Sequence, residues 1–276
     1  KFSSILNNIF IDLNKSNNVF NSLSHKFRLN FNVQDLNKFK KFKSVIIIGM
    51  GGSILGAEAI YLFLKKKIKK NFFFLNNMDE DQLLKIKSGN NMDKMLFILI
   101  SKSGNTIETL SNIRALKIIK KKSKNIIIIS EKKQNPLFLL AKKMKIFYVE
   151  HRGYIGGRYS VLSEVGMLPA ELMGLNCNQF KSLNNLIKNK NFLNSLISSV
   201  NSTLYFIKKK KFNSIIINYD QKSENLFKWY QQLVAESLGK KKSGLLPIVS
   251  NMPKDNHSMM QLYLDGFQNS FFTFFY

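Results

Sequence analysis

Two residue types are scarce enough to exclude chemistry at once. The 276-residue chain has a single cysteine, Cys177, so no internal disulfide can form and a reducing, cytoplasmic setting is expected. With only three histidines, His25, His151 and His257, imidazole and thiolate ligands are too few for an expected metal site. Long apolar runs are missing too. None approaches the roughly 18 residues of a membrane span, and the opening stretch KFSSILNNIFIDLN is broken by polar residues where a secretory signal needs a continuous apolar segment. No membrane partner is expected. Acidic residues are outnumbered, 17 against 43 basic ones, for a formal charge of +26. That balance can mark a nucleic-acid binder. Here, however, Lys greatly outnumbers Arg, the excess is scattered through short runs such as LKKKIKK and IKKKKF, and no interleaved aromatic stacking motif accompanies them. Solvated helix faces account for such a distribution. A nucleic-acid partner is therefore not expected, although the charge favours anionic small substrates.

What is present is a pattern of short strands apolar on both faces: SVIIIG (44–49), FFFL (72–75), MLFILI (95–100), NIIIIS (125–130), IFYVE (146–150) and SIIINY (214–219). Stretches of helical spacing such as ILGAEAIYLFLKK and TIETLSNIRALKIIKK lie between them. Strand, helix, strand, helix in this form predicts an α/β protein with a doubly wound parallel sheet. The segment 168–212 has helical turns and no clear strand, and a second sheet is expected from Ser214. Three parts follow: a first unit over 1–167 with an N-terminal helical arm, a helical linker over 168–212, and the start of a second unit over 213–276.

In an open parallel sheet, ligands bind beyond the carboxyl ends of strands. Two turns there carry chemistry. GMGGSILG (49–56) fails the dinucleotide fingerprint, because Ile54 stands where a third glycine is needed, and it lacks the Gly-Lys of a Walker loop. What remains is Gly51, Gly52 and Ser53, small residues whose backbone N–H groups can approach an anion at a helix N-terminus; a tight turn with Ser53 as a cap is the plainer alternative. SKSGNTIET (101–109) places Ser101, Ser103, Thr106 and Thr109 directly after a buried strand. One hydroxyl suffices to cap a helix. Several, with Lys102 beside them, suit a dianionic phosphate. GGRYS (156–160) sets Arg158 where a guanidinium could meet a phosphate or an enolate-like oxygen. In ENLFKWYQQLVAESLGK (224–240), Gln232 and Glu236 are four apart on one helix face. DNHSMMQLYLDG (255–266) adds His257, with Asp255 or Asn256 as a cap.

Taken together, GMGGSILG, SKSGNT, GGRYSVLSEVGML, ESLGK and DNHSMMQL, in this order and spacing, resemble the glucose-6-phosphate isomerase family over about residues 45–266. The resemblance implies two doubly wound SIS-type domains, the second incomplete here. It also implies an aldose–ketose isomerase interconverting glucose 6-phosphate and fructose 6-phosphate through an enediolate, without metal or organic cofactor. Residue by residue, it makes Gly52, Ser53, Ser101, Lys102, Ser103 and Thr106 the sugar-phosphate cradle, with Gln232 positioning the substrate. Arg158 would stabilise the enediolate, Glu236 would carry the proton between C1 and C2, and His257 would open the sugar ring, reaching the site of a neighbouring subunit in a homodimer. The family's C-terminal Q-x-G-V-E-x-x-K element is absent, so a chain truncated at its C-terminus is expected, with the aromatic run NSFFTFFY as the middle of a buried strand. Other readings remain open: a SIS-type sensor that binds a sugar phosphate without catalysis, and isomerisation of mannose 6-phosphate as well.

Overall fold

The computed structural model describes residues 2–89 and 91–276. After α1 (Phe2–Asn14) and two 3-10 turns, the first unit runs β1 (Ser44–Ile48), α2 (Leu55–Phe63), β2 (Asn71–Leu75), α3 (Glu80–Ser88), β3 (Met95–Ile100), α4 (Ile107–Leu116), β4 (Ile126–Ser130), α5 (Pro136–Met144), β5 (Phe147–Glu150) and α6 (Glu164–Leu172). Helices α7 (Leu183–Leu186) and α8 (Lys190–Lys208) lead to β6 (Asn213–Asn218), α9 (Glu224–Leu238), β7 (Leu246–Asn251), α10 (Met260–Asp265) and β8 (Ser270–Phe275). The first sheet has five strands in the order β2-β1-β3-β4-β5, all parallel; the second has three, β7-β6-β8, also parallel. An α/β fold with parallel sheets is therefore what the strand pattern encodes.

β-branched Ile and Val fit a pleated surface packed on both faces; β1 and β4 are built largely of them, and β3 mixes Ile with Leu and Phe. Val45, Ile47, Ile98 and Ile127 point to one layer, where Ala57 and Tyr61 of α2 and Leu168 and Leu172 of α6 cover them. Ile46, Ile48, Phe97 and Ile128 point to the other, against Ile113 and Leu116 of α4 and Leu137 and Ala141 of α5. At ~1.5–3 kcal/mol per fully buried large aliphatic side chain, this two-sided burial is the main stabilisation of the unit. Helix starts are explicit: Asn135 accepts from the Phe138 N–H with Pro136 in the first turn, and Asp79 accepts from the Gln82 N–H. Helix α6 straddles position 167/168, with Leu168 and Leu172 packed on the first sheet.

One strand differs from expectation. β7, LPIVSN, is not among those read from sequence, because its Pro and polar ends break the apolar run; Pro247 is tolerated since β7 edges the sheet. The aromatic run of β8 does form a strand, paired with β6, and one of its faces is open, with Phe272 37% and Phe274 65% exposed. Its other face is packed, Phe271 stacking on Phe206 of α8 at 4.8 Å and Phe275 meeting Phe227 of α9 edge-on at 5.0 Å.

Candidate active site

The turns after β1 and β3 leave neighbouring strands on the same side of the sheet. Gly51 has φ +51°, a left-handed conformation that favours glycine. A Cβ at Gly52 would lie 2.2 Å from the Gly157 carbonyl, so the first turn presses directly on the backbone that carries Arg158. Ser160 ties the two by donating its hydroxyl to the Gly52 carbonyl at 3.1 Å. Ser53 caps nothing: the position before α2 is Ile54, and no side chain fills the cap.

In the second turn, Ser101 is buried and its Oγ meets Thr106 Oγ1 at 2.8 Å and Ser103 Oγ at 3.5 Å, while accepting from the Gly104 N–H at 3.1 Å. Gly104 has φ +68°, and a Cβ there would strike the Asn135 side chain at 1.8 Å. Thr106 occupies the N-cap of α4 without making a capping bond. Thr106 is therefore not a capping residue, while Ser101 and Ser103 hold the Gly104 and Asn105 N–H groups of their own turn. The three hydroxyls form a cluster at a helix start whose first N–H groups have no intrahelical acceptor, an arrangement suited to an anion.

Lys102 turns elsewhere. Its Nζ donates to the Gly153 carbonyl at 2.8 Å and lies 3.6 Å from Glu131 Oε1, whose other oxygen takes Lys133 at 2.5 Å. Burial pushes the Glu131 carboxyl up, but Lys133 and Lys102 outweigh it and hold the group below its ordinary value. Next to them His151 is 1% exposed with neither ring nitrogen hydrogen-bonded, and burial, aided by the Lys102 charge, lowers it to about 4. It is a neutral imidazole at physiological pH.

Helix α9 supplies the remaining groups. Arg158 Nη1 donates to Glu236 Oε1 at 2.8 Å, and Gln232 Nε2 donates to Glu236 Oε2 at 3.3 Å. Gln232 Nε2 is also 2.9 Å from where a Gly51 Cβ would stand. Gly52, Arg158, Gln232 and Glu236 thus meet at one place between the two units, with Glu236 half exposed and Arg158 largely covered. His257 is not brought there. It follows the 3-10 turn Lys254–Asn256 after β7, exposed, and its imidazole makes no hydrogen bond among the described residues. Asp255, at the same turn, accepts from the Asn251 N–H and the Ser250 hydroxyl, latching the turn to β7.

Sequence reasoning passed over Tyr159, Trp229 and Ser237. Ser237 Oγ accepts from Arg158 Nε at 2.8 Å and lies 2.9 Å from the Tyr159 hydroxyl, while Trp229 Nε1 donates to the Arg158 carbonyl at 3.2 Å. For Tyr159 and Ser237 the only signal was adjacency to Arg158 and Glu236 within GGRYS and ESLGK; Trp229 lies outside both motifs, two turns before Glu236 on the same helix. Behind Tyr159 and Trp229 opens an apolar cavity of about 580 Å³, lined by Phe20, Ala59, Phe63, Val161 and Leu233 among others. Its walls offer a dianion no compensation for lost water, so the charged cluster outside it is the candidate site. Among the described residues no group of three or more His, Cys, Asp or Glu could hold a metal, and no helix is long and apolar enough to cross a membrane.

The family model of phosphoglucose isomerase matches residues 8–250 of the chain. A glucose-6-phosphate isomerase of Methanocaldococcus jannaschii is 33% identical over 260 residues, covering 87% of this chain and 62% of that relative. Among solved structures, a hypothetical protein of Thermus thermophilus superimposes with a TM-score of 0.78 at 20% identity, over 99% of this chain and 69% of that one. A glucose-6-phosphate isomerase of Chlamydia trachomatis gives 0.70 at 20% identity, over 88% of this chain and 52% of that one. At such identities these two structures show a shared fold. The chain spans about three fifths of the length of the Methanocaldococcus relative.

Proposed function

Since the chain belongs to the phosphoglucose isomerase family, we propose that it interconverts glucose 6-phosphate and fructose 6-phosphate by proton transfer between C1 and C2. The observation that carries this reading is the meeting of Glu236, Gln232 and Arg158 beside the Gly51–Ser53 turn. A carboxylate held by an arginine is a base beside a fixed positive charge, which is what forming and stabilising an enediolate requires. The phosphate sits on the Ser101, Ser103 and Thr106 hydroxyls and the start of α4, with Ser53 opposite and Lys102 contributing charge from the rim. Glu236 takes the proton from C2 of the opened aldose and returns it to C1, while the Arg158 guanidinium, its Nη1 freed as the carboxylate becomes neutral, stands over the developing oxyanion. Gln232 keeps the carboxylate and the sugar hydroxyls in register. His257 opens the ring of a substrate held by a neighbouring copy in a homodimer; its exposure supports that role. The reaction belongs to sugar-phosphate metabolism in the cytoplasm.

The test is conversion of fructose 6-phosphate to glucose 6-phosphate, followed through a coupled dehydrogenase, with the protein expressed from its complete open reading frame. Glu236→Gln is expected to lower turnover by at least about 10²-fold, the lower end of what a positioned base contributes, while inorganic phosphate and sugar phosphate bind as before. Binding without turnover in the wild type would favour a sugar-phosphate sensor. Comparing fructose 6-phosphate with mannose 6-phosphate decides epimer range.

A further inference from the structure

Arg158 is gripped from two consecutive positions of α9, and only one grip can last through a reaction. Glu236 Oε1 holds Nη1 at 2.8 Å, but a base that accepts a carbon-bound proton becomes neutral and gives up most of its hold on a cation. The second grip carries no charge that changes: Ser237 Oγ accepts from Nε at 2.8 Å and pairs with the Tyr159 hydroxyl at 2.9 Å. The Tyr159 ring lies under the guanidinium, 4.4 Å from its central carbon, and Trp229 fixes the Arg158 backbone through its carbonyl. A serine oxygen has two lone pairs and one proton. With Nε donating to one lone pair, the hydroxyl and Tyr159 complete each other, whichever of the two donates. The chain from α9 through Ser237 to the Gly157–Leu162 turn therefore fixes the guanidinium relative to Glu236 without using Glu236.

We propose that Ser237, braced by Tyr159, is a positioning residue that keeps Arg158 aimed at the oxyanion while Glu236 carries the proton. This rests on the isomerase reading of Glu236 and Arg158. Without the brace, Arg158 would swing to solvent once Glu236 is neutral, and the positive charge would no longer stand where negative charge develops. The Ser101, Ser103 and Thr106 hydroxyls of the phosphate cradle lie on another turn and make no hydrogen bond to the brace, so binding and turnover should separate.

The experiment uses the protein from its complete open reading frame and three variants, Ser237→Ala, Tyr159→Phe and Ser237→Thr. Ser237→Ala is expected to lower kcat about 10- to 100-fold, the range a displacement of around 1 Å in a catalytic group produces. KM for fructose 6-phosphate and the unfolding midpoint should stay close to wild type. Tyr159→Phe should show a smaller loss of the same kind, and Ser237→Thr, which restores a hydroxyl, should recover most of the rate. A second readout needs no turnover: a five-carbon aldonate phosphate, whose planar carboxylate resembles the enediolate, should bind more weakly to Ser237→Ala by a factor similar to the loss in kcat, while inorganic phosphate binds equally. Unchanged kcat and unchanged aldonate phosphate affinity in Ser237→Ala would overturn the positioning role and leave the isomerase reading standing. A parallel loss in kcat, phosphate binding and stability, unrescued by Thr, would also overturn it, as a merely structural role. A wild-type protein that neither turns over the sugar nor binds the aldonate would sink the isomerase reading, and this inference with it.

Discussion

A methyl group at Gly52 would stand 2.2 Å from a backbone carbonyl and 2.6 Å from the Arg158 nitrogen, atoms that cannot rotate away. Gly52→Ala must therefore separate the first turn from the arginine turn. It is expected to cost about 1–3 kcal/mol, as overpacking of a rigid contact does, read from the urea midpoint, and to lower turnover further than the stability loss explains. His151 makes a prediction of the opposite character. Its pKa is about 4 in the folded protein against about 6.5 when unfolded, so the unfolded chain binds the extra proton. Stability falls as pH drops from about 6.5 towards 4 and then levels, a loss of roughly 3 kcal/mol at about 1.36 kcal/mol per pH unit. Denaturant midpoints between pH 7 and 4 should show a shallower decline in His151→Leu than in the wild type.

Helices here often stop on lysine where glycine is the easier residue. Lys117 after α4 and Lys145 after α5 are both left-handed, with φ 52°. A side chain in that conformation costs ~1–2 kcal/mol. Glycine removes the strain but adds about 0.5–1 kcal/mol of freedom to the unfolded state. Lys145→Gly is expected to raise stability by up to ~1 kcal/mol, seen as a higher urea midpoint with an unchanged slope; a lower midpoint would mean that the lysine stem contributes packing the backbone does not reveal. The strands that were legible are the short apolar runs, buried on both faces in β1, β3, β4 and β6 and only partly covered in β2 and β5. β7 was not, because an edge strand needs no continuous apolar run and tolerates Pro247.

Over the whole molecule, 43 basic residues face 17 acidic ones, and ion pairs are few among the described residues. Self-repulsion on this scale opposes the compact state. Raising ionic strength from low values to above about 0.1 M, where the screening length is about 10 Å, is expected to raise the thermal midpoint. A midpoint that falls with added salt would show that surface ion pairs outweigh the repulsion. Arg158 of the first unit meets Glu236 and Ser237 of the second where the two units adjoin.

The amino-acid sequence by itself determined the parallel-sheet architecture, through two-sided apolar strands that only a covered sheet can bury. It also marked the hydroxyl-rich and glycine-rich turns, because few residue types tolerate those backbones. It could not say which hydroxyls cap helices and which cluster in a site, since the local spacing is the same for both. Only the tertiary structure decided that Thr106 leaves its helix uncapped and that Lys102 faces Glu131. It also decided that Ser237 and Tyr159 meet around Arg158. That last outcome depends on contacts between residues 78 and 79 positions apart, which no local pattern records.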